Sequence, residues 1–255
     1  MSSRAEFRAR HIGRAALAAL RAPSPPRVFA AFERSFYVAT AAGVACIGGP
    51  AIGRGPLNVI VDLDVRMPDV GRLVRICMQD LEIWIPRSPP QLESPPRFLT
   101  SRFSKEWSAN LPAQAFLDWL EDGASAPRAA NALIGLGPGL TPAGDDFVGG
   151  ALIALRAAGR AAQVDRIAAW ALALAEEGTG RISRAHLRCA AAGEGHEALH
   201  ELLRVLHRGK QAIERALDAL DRVGHSSGRD AAAGALLALS TGRSGRHPNP
   251  GLCDG

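Results

Sequence analysis

Five prolines between residues 86 and 96 cut the chain into two stretches with different hydrophobic periods. Proline lacks the N–H that a helix interior or a central strand needs, so no regular element crosses this segment. Before it, short apolar runs at 28–32, 35–40, 43–47, 57–61, 73–77 and 81–85 carry Val, Ile and aromatic residues and are separated by Gly and Pro. That pattern predicts a small antiparallel sheet or barrel, preceded by one helix over 12–21. After it, apolar residues recur at helical spacing over 114–121, 128–134, 145–158, 162–177, 183–192, 196–208, 211–223 and 229–240. The expectation is an α+β protein with a β-rich N-terminal domain over 1–96, an all-α domain over 97–242 and a mobile tail over 243–255, which has no apolar period.

The run from Gly135 to Asp146 holds Gly135, Gly137, Gly139, Gly144, Pro138, Pro142, Thr141 and two adjacent acids, Asp145 and Asp146, immediately before an apolar helix. Glycine lets a backbone turn tightly or approach a ligand closely, and proline limits the entropy lost on ordering. An N-cap needs only a single Ser, Thr, Asp or Asn, so the run reads as an active-site or anion-site loop, with an elaborate helix cap as the alternative. The pattern returns later: Gly144, Asp146, Gly150, Ala151, Leu152, Ala154 and Leu155 recur in register as Gly228, Asp230, Gly234, Ala235, Leu236, Ala238 and Leu239. Each copy follows a hydroxyl-bearing loop, Thr141 in one and Ser226 and Ser227 in the other. Two similarly built helix starts facing one cleft is one reading; similarity imposed by an Ala- and Leu-rich composition is the other.

Helix N-termini expose N–H groups and partial positive charge, so residues 144–147 and 227–229 are candidate cradles for phosphate or carboxylate. The candidate anion ligands are Gly137, Gly139, Thr141, Gly144, Ser183, Ser226, Ser227 and Gly228. Asp145 and Asp146 oppose an anion unless one of them is structural or a cation intervenes. With Asp230 they form a candidate Mg²⁺ set, Mg²⁺ being the cofactor that reading requires. His225, beside Ser226, is the candidate for proton transfer, with Asp146 and Asp230 as its catalytic companions; a surface histidine is the alternative. No Gly-Lys-Ser/Thr follows the glycines and no Gly-x-Ser-x-Gly occurs, which argues against a Walker A loop and a Ser-His-Asp hydrolase.

The formal net charge is +5, but the basic residues are dispersed arginines, with lysine only at 105 and 210 and aromatics at 5%. Nucleic-acid binding would call for a dense basic patch with interleaved aromatics, so small anions are the expected partners. Cys46, Cys77, Cys189 and Cys253 are too scattered for a zinc knuckle, and a reducing cytoplasm is expected. No apolar run reaches the ~18 residues of a membrane span. Arg4, Arg8, Arg10 and Arg14 precede an Ala/Leu run that is too short for a secretory segment and reads as a surface helix.

From Gly137 to Asp146 the sequence resembles a bacterial domain-of-unknown-function family that includes a subunit of oxamate carbamoyltransferase, an enzyme of allantoin use. The hydroxyl-rich helix start from Thr179 to Leu187 and the element Gly224-His225-Ser226-Ser227-Gly228-Arg229-Asp230 are similar to that family's too. Ala143 departs from it, standing where many relatives have serine. The resemblance implies a cytoplasmic enzyme component in purine catabolism that works with other carbamoyltransferase subunits, in a homo- or hetero-oligomer. Its chemistry would interconvert oxalurate and phosphate with oxamate and carbamoyl phosphate. A Mg²⁺-dependent hydrolase or phosphotransferase and a non-catalytic metabolite-binding subunit are the alternatives.

Overall fold

The structure is a computed structural model that describes residues 5–62, 67–87, 92, 94–122 and 125–241. Its strands all precede its long helices, as an α+β reading requires. The residues of the expected mobile tail, 243–255, lie outside the described residues, as does part of the proline-rich segment.

The strands are β1 (Ala5–Gly13), β2 (Arg27–Ala31), β3 (Ser35–Thr40), β4 (Gly43–Gly48), β5 (Asn58–Val61), β6 (Val74–Cys77) and β7 (Glu82–Trp84). They join in the order β2-β3-β4-β5-β1-β6, with β7 also on β1. The expected antiparallel pairing holds for β2-β3, β3-β4 and β1-β5, whereas β4-β5, β1-β6 and β1-β7 are parallel, so the sheet is mixed. Its ends meet: Val28 N–H donates to Arg72 O, Gly71 N–H to Val28 O and Val74 N–H to Pro26 O, curling the sheet into a small barrel. Phe7, Ala9, Val28, Phe36, Val38, Ala45, Ile47, Val59, Val61 and Val74 form its core.

The expected helix over 12–21 is shorter, α1 (Arg14–Leu20), because residues 5–13 form β1. The arginines there are the outward half of a period-two strand: Phe7 and Ala9 are buried between exposed Arg8 and Arg10, and Arg10 pairs with Asp62 on β5. A strand that pairs on both edges holds the barrel together, and a surface-helix reading of its arginines missed it.

The helices are α2 (Arg97–Trp107), α3 (Leu111–Asp122), α4 (Arg128–Asn131), α5 (Ala143–Ala157), α6 (Ala161–Gly178), α7 (Arg181–Ala191), α8 (Glu197–Val205), α9 (Lys210–Leu220) and α10 (Ser227–Ser240). They enclose a second core. At its centre α5 and α10 are buried along nearly their whole length, which explains why both are apolar without a polar face.

These two helices cross on glycine. A Cβ at Gly150 would run into the Ala231 carbonyl, and one at Gly234 into the Phe147 carbonyl. The contact is reciprocal, each glycine meeting the residue that corresponds to the other helix's own partner in the sequence repeat. The repeat extends to the helix starts. Gly144 lies against the Leu133 carbonyl and donates to Leu136 O, while Gly228 lies against the Leu220 carbonyl and donates to Val223 O. Both segments are therefore the same helix–loop–helix design, with a longer loop in the first. Alanine is the better helix former by ~1 kcal/mol, yet Gly150→Ala and Gly234→Ala should each destabilise the chain by roughly 2–3 kcal/mol through overpacking. Urea unfolding checks this, and an unchanged midpoint would mean that the helices can separate without loss.

Candidate functional site

A cleft of about 440 Å³ lies between the outer face of the barrel and the helices. Ser35 and Tyr37 of β3, Cys46 of β4 and Asn58 of β5 form one wall, because alternation along a strand turns every second side chain away from the barrel core. Thr141 and Asp146 from the start of α5, Ser227 and Gly228 from the start of α10, Ser183 and His186 of α7, and His196 before α8 line the other sides.

The wall between barrel and helices is tied by a few defined contacts. Val44, Leu57 and Cys189 make a small apolar seam. Arg14 of α1 pairs with the buried carboxylate of Glu194. Arg54 N–H donates to Glu197 Oε1, and Glu197 N–H returns a bond to Arg54 O, both at 2.8 Å. His196 Nδ1 accepts from Ala198 N–H at 3.1 Å as the cap of α8, which leaves Nε2 to donate to Ile52 O, also at 3.1 Å.

The adjacent acids have different surroundings. Asp145 is buried, and its Oδ1 accepts from Gly135 N–H at 2.8 Å while its Oδ2 accepts from the Thr179 and Ser183 hydroxyls at 2.5 and 2.6 Å. One carboxylate thus closes the Gly-rich turn and fixes the start of α7. Ser183, a candidate anion ligand, lines the cleft but gives its hydroxyl proton to Asp145.

Asp146 faces the cleft, and its Oδ2 is buried without a hydrogen-bond partner. Burial pushes its carboxyl well above the usual carboxylate range, with Asp230 and Asp145 adding to the shift against the opposing pull of the Ser227 and Thr141 hydroxyls. Those two hydroxyls, one from each copy of the repeat, touch at 2.9 Å. Asp230, the repeat counterpart of Asp146, does not line the cleft. Its carboxyl is raised by burial and by Glu106, and held down by Ser226 and Arg229.

Other expected ligands fall elsewhere. Gly137, Gly139, Ser226 and His225 are exposed and outside the cleft lining, so His225 is not placed for proton transfer within it. Gly144 is buried behind the loop. The helix-start amides are committed: Gly144 N–H to Leu136 O, Asp145 and Asp146 N–H to Pro142 O, Gly228 N–H to Val223 O, and Arg229 and Asp230 N–H to Ser226 O. These amides of the expected cradle are therefore taken, whereas the hydroxyls of Thr141 and Ser227 line the cleft. No three His, Cys, Asp or Glu residues gather to hold a metal among the described residues, and the Mg²⁺ set of Asp145, Asp146 and Asp230 is not assembled, since hydroxyls and an amide occupy Asp145.

Sequence reading missed His186 and His196. Burial, aided by His196, pushes the His186 imidazole down to about 4, and burial also lowers His196. His200 behind them falls to about 4 as well, while its Nε2 accepts from Gly195 N–H. Tyr37, Cys46 and Ser35 form a hydroxyl–thiol cluster on the barrel wall. Burial raises the Tyr37 hydroxyl, and it raises the Cys46 thiol to about 11, so Cys46 is not a ready nucleophile. His186 sits in the Thr179–Leu187 helix start but was not singled out there, and for the others a strand-outward position and the cap before α8 were the available signals.

Fold and cleft together define an α+β protein with a cleft of small-molecule size between a curled sheet and a helix bundle. Residues 133–239, from the turn before the Gly-rich loop through α10, match the family described as oxamate carbamoyltransferase subunit AllH, which bears out the resemblance carried by the three motifs. The barrel lies outside the matched residues. No curated protein and no solved structure matches the chain. Among the described residues no helix is long and apolar enough to cross a membrane.

Two predictions follow from these surroundings. Asp145→Ala should lose at least ~3 kcal/mol in urea unfolding, because three donors to one carboxylate lose their acceptor together; a loss under ~1 kcal/mol would show that water replaces it freely. The pH dependence of stability has two limbs. His186 and His200 bind fewer protons folded than unfolded, so stability is lost as pH falls from 6.5 toward 4. Asp146 and Asp230 bind more protons folded, so their contribution turns unfavourable as pH rises above the ordinary carboxylate range. In thermal melts, His200→Gln should flatten the acid limb and Asp146→Asn should gain on the wild type with rising pH. Parallel wild-type and variant curves would refute these assignments.

Proposed function

We propose that this chain is a subunit of an oxamate carbamoyltransferase-like enzyme and that its cleft binds a small anionic metabolite: phosphate, carbamoyl phosphate or a carboxylate. The observation that carries the reading is the meeting of Thr141 and Ser227, one from each repeat, beside the unpaired Oδ2 of Asp146. The match of residues 133–239 to a carbamoyltransferase subunit family supports the reaction class. In this reading the β-rich part, residues 1–96, and the helical part, residues 97–242, act as two domains sharing the site, and the chain works with companion subunits in the cytoplasm.

The chemistry asks for few groups. A phosphate oxygen attacks the ureido carbonyl of oxalurate, the C–N bond breaks, the proton of the phosphate passes to the departing nitrogen, and carbamoyl phosphate and oxamate result. Hydroxyl donors aimed at the carbonyl oxygen stabilise the charge that develops there, and they act most strongly in a water-poor cleft. His186, held neutral, offers an acceptor in the same space. A structural role for Thr141 would survive its replacement by the isosteric valine. Thr141→Val and Ser227→Ala should instead each lower carbamoyl transfer by roughly 10²-fold, the scale of a lost oxyanion donor, with the thermal melt retained. The assay is phosphate-dependent release of oxamate from oxalurate by the chain with its companion subunits. Undiminished rates in both variants would overturn the proposed site.

A further inference from the structure

A second cavity of about 940 Å³ adjoins the cleft, and Arg34 and Arg222 line both. Of the other arginines of the outer cavity, Arg54 pairs with Glu197 and Arg204 with Glu201, and Arg87 does not line the inner cleft. Arg34 and Arg222 have no ion-pair partner among the described residues. Both are exposed, and a guanidinium placed at a cavity junction presents its donor fork to an incoming carboxylate or phosphate.

The inner end has the opposite character. Among the described cleft-lining residues, Arg34 and Arg222 are the arginines, and no lysine accompanies them. Glu194 is taken by Arg14, and Asp145 by its three donors. What remains unsatisfied is the buried Oδ2 of Asp146, an oxygen that lacks a donor, next to two hydroxyls that can either give or accept. Ionised Asp146 would meet a second carboxylate there oxygen against oxygen, whereas its protonated form could donate to one, so the discrimination grows as rising pH ionises it. A primary amide supplies N–H groups to Asp146 and a carbonyl oxygen to the hydroxyls.

We infer that the cleft is polarised: Arg34 and Arg222 hold the anionic end of the ligand, and Asp146, Thr141 and Ser227 hold an uncharged carbamoyl or amide end. The inference rests on the proposed function and adds what the cleft selects, a small amide-bearing anion over a dianion of the same shape. Asp146 is then the specificity-determining residue, because it rejects a carboxylate where it accepts an amide.

Oxamate and oxalate test this directly, since they differ by one NH₂ replaced with O⁻. Titration calorimetry of the 255-residue chain from pH 7.5 to 9 should find the preference for oxamate over oxalate growing with pH to at least roughly tenfold. Asp146→Asn keeps an acceptor for the amide and removes the repulsion, so it should leave oxamate within about threefold and strengthen oxalate until the preference falls below about threefold. The Arg34→Ala/Arg222→Ala double variant, altered only at exposed positions, should weaken oxamate and inorganic phosphate at least roughly tenfold with an unchanged melt. Oxamate binding with no preference over oxalate, or with no response to the double variant, would overturn the polarity and leave the proposed function standing. Failure of oxamate, oxalate and inorganic phosphate alike to bind would remove both.

Discussion

The close crossing of α5 and α10 is the constraint on which the rest of the structure depends. Two glycines, Gly150 and Gly234, let backbone meet backbone, and the helices of the C-terminal bundle pack around the pair or its flanks. That distance sets where the two helix starts emerge. A side chain at either glycine would push the helices apart and carry Thr141 away from Ser227, so the floor of the cleft is a direct product of core packing. The dispersion gained by close contact and the burial of Phe147, Leu152, Leu155 and Leu236, each contributing roughly 1.5–3 kcal/mol, hold the crossing against the cost of ordering it.

Two neighbouring aspartates at the start of α5 show how one turn of helix separates scaffold from site. Successive residues on a helix point about 100° apart, so Asp145 turns back into the bundle and Asp146 toward the barrel. The first finds three donors and the second finds none for its Oδ2. The structure thus combines a fully satisfied carboxylate, which fixes the geometry, with an unsatisfied one that has a reason to bind something. The repeat reproduces only part of this, since the second copy has Arg229 where the first has Asp145, and Arg229 reaches Asp221 and Glu106 at the surface.

Much of this architecture was legible in the sequence. The proline-rich segment separated strands from helices, and the in-register recurrence of Gly144, Asp146 and Gly150 as Gly228, Asp230 and Gly234 anticipated two equivalent helix starts. Strand direction was not legible, because parallel and antiparallel strands share a period of two and differ only in what lies between them. The first strand was hidden because its outward residues are arginines, a composition that also suits a surface helix. In the site, Thr141, Asp146 and Ser227 could be found because they sit in unusual local sequences. Tyr37, Cys46 and His196 could not, since each belongs to an unremarkable stretch and reaches the cleft only through the packing of barrel on helices, and His186 was masked by the hydroxyls of its own helix start. The Asp145 network joins two segments, the Gly135–Asp146 run and the start of α7, and no local pattern announces a bond between them.

The barrel and the helix bundle each possess a core of their own, and the cleft lies where neither core extends. Tyr37 and Arg34 are rooted on one side of it, and Thr141, Asp146, Ser227 and Arg222 on the other. A molecule bound there bridges two bodies that are otherwise joined by a thin apolar seam and a few polar clasps. Its binding free energy counts toward keeping them together, and by mass action a site filled at a hundred times its dissociation constant adds about 2.7 kcal/mol to the folded state. A metabolite held there as proposed would in that sense be a keystone, and the chain's cohesion would report how much of it is present.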